Sequence, residues 1–388
     1  MVLQSTVGRV FAGLLAGLAV VTGLGLLVLW PERESGLETG STLATKTQRA
    51  EVLRIETFRC SGIEGTCRRV AVRLESGPGR GRITAFELGT GGLDPPLEIG
   101  DAVRVAPEAP IPGESGRTYT LADFERRAPM LWLAVGFAVL VVIFGRLRGA
   151  LSLVGLAMSL LVAVGFVLPA ILAGERPLPV AVVGSLAIML ATILLSHGIG
   201  PKALAAALGT AASLLLTVAL AVAFTGLTNL TGLASEEATM LQANSGGFSL
   251  QGLLLAGMVI AALGVLDDVT ISQASTVLAL RAAGPDQSFA TLFARALAVG
   301  RDHVSATVNT LVLAYVGASL PALLLFSSTE LDLGETLNSE IVAQEIVATL
   351  VGSIGLIAAV PITTALAALL SARLSPERLA AEGHGHAH

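Results

Sequence analysis

Two adjacent carboxylates, Asp267 and Asp268, sit in the middle of an apolar stretch that reads GVLDDVTISQASTVLAL. The apolar run before them, Gly252 to Leu266, is too short alone to cross a bilayer, which takes roughly 20 residues. The helix must continue through the pair or break at it, so two ionisable groups lie at membrane depth. Such groups are costly there and mark ion pathways, proton relays or partners. Two carboxylates this close in low dielectric do not both ionise readily, so one is expected to hold a proton and act as a reversible carrier. The alternative is a structural pair, satisfied by neighbouring Ser, Thr, Asn or Arg side chains. On a helix Asp268, Ser272 and Ser275 share a face, whereas Asp267 lies about 100° away beside Thr270. Gln273 and Thr276 complete the polar set on this segment.

A second polar helix follows, opening RDHVSATVNT. Asp302, Ser305 and Asn309 fall along one face; His303, Thr307 and Thr310 fall along another. This helix is expected to pair with the Asp stretch, since Asn309 can both donate to and accept from a carboxyl that changes protonation. The alternatives are a position wetted by the cytoplasm for Asp302 and His303, and a plain interhelical hydrogen bond for Asn309. The last apolar segment, EIVAQEIVATLVGSIGLIAAVPITTAL, carries Gln344 and Glu345 near one end. Gly352, Gly355 and Pro361 weaken its middle, and broken helices surround transport sites, so these residues with Glu345 form a candidate gate. An interfacial position is the other reading of Glu345. His197 and Lys202, in SHGIGPK, read as snorkelling or lipid-facing residues at the membrane boundary.

The elements that must hold these groups are apolar helices. Of 388 residues, 53% are hydrophobic and only 14% charged, which excludes an ordinary soluble domain. The mean hydropathy of +0.77 fits a polytopic membrane protein. The 43 glycines and many alanines let membrane helices approach closely, as along Gly155, Ser159 and Ala163. Eight spans are expected, at about 10–30, 130–146, 149–172, 178–197, 203–226, 250–280, 303–326 and 341–371. The first has no obvious cleavage site and reads as an uncleaved helix, 1–30. Arg9, Arg146, Arg148, Lys202, Arg281, Arg295, Arg301, Arg373 and Arg378 then fall on one side. The short loops opposite hold only Arg176, beside Glu175, and are otherwise acidic: Glu236, Glu237, Glu330, Asp332, Glu335 and Glu340. The positive-inside rule places both termini in the cytoplasm. Residues 286–301, with Phe289, Leu292, Phe293, Ala296 and Leu297 at helical spacing, are expected to lie on the inner membrane face or to form a helical hairpin.

Residues 31–128 are the one part able to fold in water. AEVLRIETF, RRVAVRLES, GRITAFELG and DAVRVAPE alternate as short strands and suggest a five-stranded OB-like barrel outside the membrane. Its two cysteines, Cys60 and Cys67, are the only ones in the chain. An oxidising compartment and close spacing favour a hairpin-like disulfide; two free thiols are the alternative. The expected division is thus 1–30, 31–128, a seven-helix part 129–372, and a cytoplasmic tail 373–388 whose EGHGHAH end is disordered or a weak metal binder. The fold class is an all-α polytopic bundle with a small extracytoplasmic β-rich domain.

Enzyme readings find no support. The chain has no GxxxxGK[ST] and no HExxH, and adjacent Asp267 and Asp268 cannot face one another as an intramembrane aspartyl protease requires. Catalytic residues, a metal site, a cofactor and a nucleic-acid surface are not expected. The blocks GVLDDVTISQAS, ARALAVGRDHVSATVNTLVLAYVGASLP and FGRLRGALSLVGL resemble the YibE/F-like family of bacterial multispanning membrane proteins. A β-rich segment ending in YTLADFERR also fits that family. The resemblance covers nearly the whole chain and implies a multi-pass protein of the bacterial cytoplasmic membrane. Residues Asp267 to Pro321 are more weakly similar to half of an RND-type or SecD/SecF-type proton-driven protein. That half has six helices, and its external domain is larger. The expected function is a proton- or ion-coupled transporter of an unknown solute, with Asp267 and Asp268 titrating and a homodimer or a membrane partner chain alongside. The alternative is a non-transporting assembly or scaffold protein whose β-domain binds an envelope partner.

Overall fold

The structure, a computed structural model, describes residues 6–31, 46–60, 66–89, 95–108, 119–234, 236–244, 249–328 and 332–372. Glu330, Arg373, Arg378 and the histidine-bearing tail fall outside them, as do the side chains of Glu236 and Glu237. The chain divides into two compact units, Glu38–Phe144 and the combination of Met1–Leu37 with Gly145–His388.

The first unit is built on β1 (Gln48–Arg59), β2 (Thr66–Leu74), β3 (Ile83–Leu88), β4 (Ala102–Pro107) and β5 (Tyr119–Phe124). They form one antiparallel sheet in the order β3-β2-β1-β4-β5, and its edge strands β3 and β5 approach each other. Alternation sends Val70, Val72 and Leu74 of β2 inward and Arg69 and Arg73 outward. Ala50, Val52, Phe86, Val103, Val105 and Tyr119 complete the core. Directly opposed charges join the outer face, Arg69 to Glu87 at 2.6 Å and Arg73 to Glu51 at 3.6 Å. Cys60 and Cys67 are joined as a disulfide, with their Cα atoms 5.2 Å apart.

Arg104 of β4 fastens the two ends of this unit. Its guanidinium donates to the Thr47 hydroxyl at 2.7 Å, to the Thr47 carbonyl at 2.9 Å and to Glu125 at 2.9 Å. That last bond holds the Glu125 carboxyl below the usual carboxylate range. A lowered folded-state value means that the bond stabilises above the unfolded value and is lost as pH falls through the folded one. Amide protection in β4 and β5, corrected for intrinsic exchange, is therefore expected to fall on acidification below about pH 4. Arg104→Met is expected to lower it already at neutral pH and to flatten the acid dependence.

The second unit is helical. It holds α1 (Thr6–Val28), the latter part of α2 (Arg127–Val162), a π-helical turn (Ala163–Val167), α3 (Leu168–Leu172), α4 (Pro177–His197), α5 (Pro201–Leu227) and α6 (Glu236–Asn244). There follow α7 (Leu250–Ala283), α8 (Phe289–Ala318), α9 (Leu320–Ser327), α10 (Leu333–Asn338) and α11 (Glu340–Ser371). Among the described residues, six helices could cross a membrane by length and composition: α1, Arg127–Leu172, α4, α5, α7 and α11. Counting the α8–α9 pair, bent by 60°, as one span raises the number to seven.

Small side chains let α5 pack closely on α4, α7 and α11. The contact with α11 is reciprocal. A Cβ on Gly209 would strike the Thr363 hydroxyl, and a Cβ on Gly355 would strike the Thr217 hydroxyl. The two pairs lie about two turns apart on each helix, so they set both the spacing and the antiparallel register. At one end of the bundle, Glu340 in the first turn of α11 clamps the turn after α5. It accepts from the Thr231 and Gly232 amides at 2.7 and 2.8 Å and from the Thr231 hydroxyl. Gln251 of α7 donates to the Leu230 carbonyl at 2.8 Å in the same turn. At the other end, buried Arg281 donates to the Pro285 and Gln287 carbonyls at 3.0 and 2.6 Å.

Two expectations need correction. Residues 286–301 do not form a separate surface helix. They run from the turn at Ser288 into α8 without a break, and Leu292, Ala296 and Gly300 are buried. Likewise α11 is continuous through Gly352, Gly355 and Pro361, so these residues are not a break. Gly355 serves close approach to α5, and Gly352 lies 3.6 Å, as Cβ, from Leu311. Gly209→Val is expected to lower unfolding stability by about 1–3 kcal/mol through overpacking. Thermal unfolding in detergent checks this, and Thr363→Ala in the same chain is expected to restore part of the loss.

Candidate functional site

Asp267 lies midway along α7, on the side facing α4. Thr192 of α4 donates to one of its carboxylate oxygens at 3.1 Å. The other oxygen, Oδ1, is buried and has no hydrogen-bond partner among the described residues. The Thr192 hydroxyl also lies 2.9 Å from the Ile188 carbonyl and 3.1 Å from that of Met189. A hydroxyl has one proton and can serve one of these acceptors at a time. With Asp267 ionised the proton points to the carboxylate. With Asp267 protonated, the carboxyl can donate to Thr192, and the hydroxyl proton returns to its own helix. The site therefore accommodates both protonation states by rotating one hydroxyl.

A second hydroxyl pair lies about one turn away. The Thr270 hydroxyl lies 3.1 Å from the Asp267 carbonyl and 2.6 Å from the Thr210 hydroxyl of α5, and either hydroxyl can donate to the other. Antiparallel register then sets Ser213, three residues along α5 from Thr210, level with Asp267. Ser213 is fully buried and has no partner among the described residues; the same holds for Thr363 on α11. Most buried helical hydroxyls bond back to the preceding turn, as Thr217 and Thr364 do. An orphaned hydroxyl costs about 1–3 kcal/mol; Ser185, Thr225 and Ser353 are likewise buried without a partner among the described residues. Carboxylate and hydroxyl oxygens together make a hard donor set, suited to a proton, water or an alkali cation.

Gln273 supports the site from below. Its amide donates to the Ala296 carbonyl of α8 at 2.9 Å and to the Thr364 hydroxyl of α11 at 2.7 Å. Gly300 makes room for it, since a Cβ there would fall 2.8 Å from the Gln273 oxygen. Three helices are thus joined by one side chain. Gln273→Leu is expected to lower stability by about 1–3 kcal/mol in thermal unfolding, because the amide's two bonds are lost at constant volume.

The expected polar network is only partly assembled. Thr270 and Gln273 are buried beside Asp267, whereas Asp268 and Ser272 are exposed on the other side of α7. His303 is close enough to act on Asp268 electrostatically. Asp302, His303, Ser305, Asn309 and Thr310 are exposed, and none is hydrogen-bonded to either Asp among the described residues. Thr310 bonds back to Ala306 in its own helix. The reason is the opposite face of α8, where Leu297, Val304 and Val308 pack on Val269, Leu356 and Val360 and take the contact. Glu345 is half-buried near Tyr315, with Gln344 beside it at 3.4 Å. Thr192, Thr210, Ser213, Thr363 and Thr364 went unread in the sequence. The one available signal was the spacing of Thr210, Ser213 and Thr217, which share a helical face.

Long apolar helices around a buried carboxylate define a polytopic membrane protein. Residues 133–373, well over half of the chain, match the family described as YibE/F-like protein. The chain belongs to that family. No curated protein and no solved structure matches it. The likeness of residues 267–321 to RND-type and SecD/SecF-type halves is not shown by these comparisons.

Proposed function

We propose that this chain is a proton- or ion-coupled transporter of an unidentified solute, and not an enzyme, in the bacterial cytoplasmic membrane. The observation that supports it most is the Asp267 carboxyl, with one buried oxygen unpartnered and the other on a hydroxyl that has three acceptors. A group of this kind at mid-depth can change protonation without disturbing the packing of α4, α5 and α7, and a pathway is the usual reason such a group is kept. Asp268, on the exposed side, is assigned an auxiliary part.

Eight spans belong to this reading. Arg127–Leu172 has 46 residues, about 70 Å of helix, more than twice the roughly 30 Å hydrocarbon thickness. Arg146 interrupts it with φ 50° and ψ −131°, which supports reading it as two spans with arginines between them. The basic loops then lie in the cytoplasm with both termini, and the β-domain lies outside. Its strand order, with β3 returning toward β5, suits an OB-like barrel. A scaffold function is the second reading. It draws on a cavity of about 410 Å³ in the β-domain, lined by Arg49, Arg73, Glu75 and Arg80, where an acidic envelope partner could dock.

Solid-supported-membrane currents from proteoliposomes under an imposed pH or sodium gradient separate the two readings. Transport predicts that a panel of solutes contains one giving a gradient-dependent current. Asp267→Asn is then expected to lower that current by at least about tenfold with unchanged thermal unfolding, and Asp268→Asn to lower it less. The scaffold reading predicts that both Asn variants behave as wild type.

A further inference from the structure

The exposed face of α8 carries polar side chains that the bundle leaves uncovered. Asp302, His303, Ser305, Asn309 and Thr310 are all exposed. If α8 spans the bilayer, as the proposed function requires, the acyl chains cannot satisfy these groups. Interleaved with them are small residues. Ala306, Thr310, Ala314 and Ala318 recur every fourth position and are all exposed, with Gly317 beside them. Such a surface admits another helix at close range.

We propose that this face is the interface with a second copy of the chain, and that the second copy completes the polar surroundings of Asp268. Charge complementarity selects this occupant. Two copies inserted in the same orientation are related by a two-fold axis along the membrane normal, so each residue of α8 meets its own level on the other copy. At the Asp302–His303 level the acid of one copy meets the imidazole of the other. At Asn309 each amide supplies both a donor and an acceptor, so the two can bond to each other. Asp268 is exposed on the same side, within electrostatic reach of His303. Dimerisation thus sets the Asp302 and His303 side chains of the two copies against one another, away from lipid. The buried Asp267 sites stay separate, one per copy.

The test uses the full chain in native membranes. Cysteine replaces Ala306, Thr310 or, as a control, Leu215, an exposed apolar residue of α5. Cys60 and Cys67 are bonded to each other and do not compete. Oxidative cross-linking is expected to convert most Ala306→Cys and Thr310→Cys protein to covalent dimer and to leave Leu215→Cys monomeric. Photobleaching of labelled protein in nanodiscs is expected to count paired chains for wild type and single chains for Ala306→Trp. Single wild-type chains without cross-linking at 306 and 310 would overturn the proposal. So would full labelling of the 306 thiol by a water-soluble maleimide, because water or solute would then occupy the face. A cross-linked dimer without Asp267-dependent current keeps the interface and removes the transport reading, whereas single chains that still carry the current do the reverse.

Discussion

Close contact between α5 and α11 is the constraint on which the bundle depends. Gly209 against Thr363 and Gly355 against Thr217 bring the two backbones together at two levels. Their spacing leaves α7 a fixed groove, in which Thr270 meets Thr210 and Gln273 meets Thr364. With those two contacts made, Asp267 has one place to go, against Thr192 of α4. Membrane helices gain little from burying apolar surface against each other, because lipid is equally apolar. Dispersion across a tight seam and interhelical hydrogen bonds must do that work, and both are concentrated here.

The same seam explains the division of labour between the two carboxylates. Adjacent positions on a helix differ by about 100°, so one lies in the α4–α5–α7 core and the other outside it. The core member has one hydroxyl partner, Thr192, whose single proton can be redirected. The outer member shares its surroundings with the polar face of α8. A chemical step at Asp267 can therefore leave the outer surface untouched, and a partner at that surface need not enter the core.

Much of this was legible in the sequence. Alternation in RRVAVRL predicts which side chains of β2 enter the β-domain core, because a strand has only two faces. The spacing of Asp267 and Thr270 predicts that they lie side by side, away from the face of Asp268 and Ser272. Their partners were not legible, since a lone threonine in an apolar helix does not announce which neighbour it meets. The polar face of α8 was visible, but its direction was not. Helical period identifies a stripe without saying what lies against it, and here the apolar stripe of Val304 and Val308 takes the contact with α7 and α11. Gly355 has two physical uses, as a weak point or as a notch, and only the Thr217 side chain opposite decides between them. Continuity of residues 289–318 was missed because the arginines at 295 and 301 look like a boundary, although long side chains can reach the interface from within one helix.

The Glu340 clamp has a mechanical consequence. It fixes the first turn of α11 to the turn that joins α5 toward α6, while Thr363, Thr364 and Ser371 hold the far half against α5, α7 and Arg281. A 32-residue helix is about 48 Å long, so α11 is a strut pinned at both ends. A tilt of about 3° would displace Ser371 by roughly 2.5 Å over that length and the level of Pro361 by about two thirds as much. Such a tilt would have to open the Gly209–Thr363 notch and the Gln273–Thr364 bond together, so α11 resists rocking as one piece.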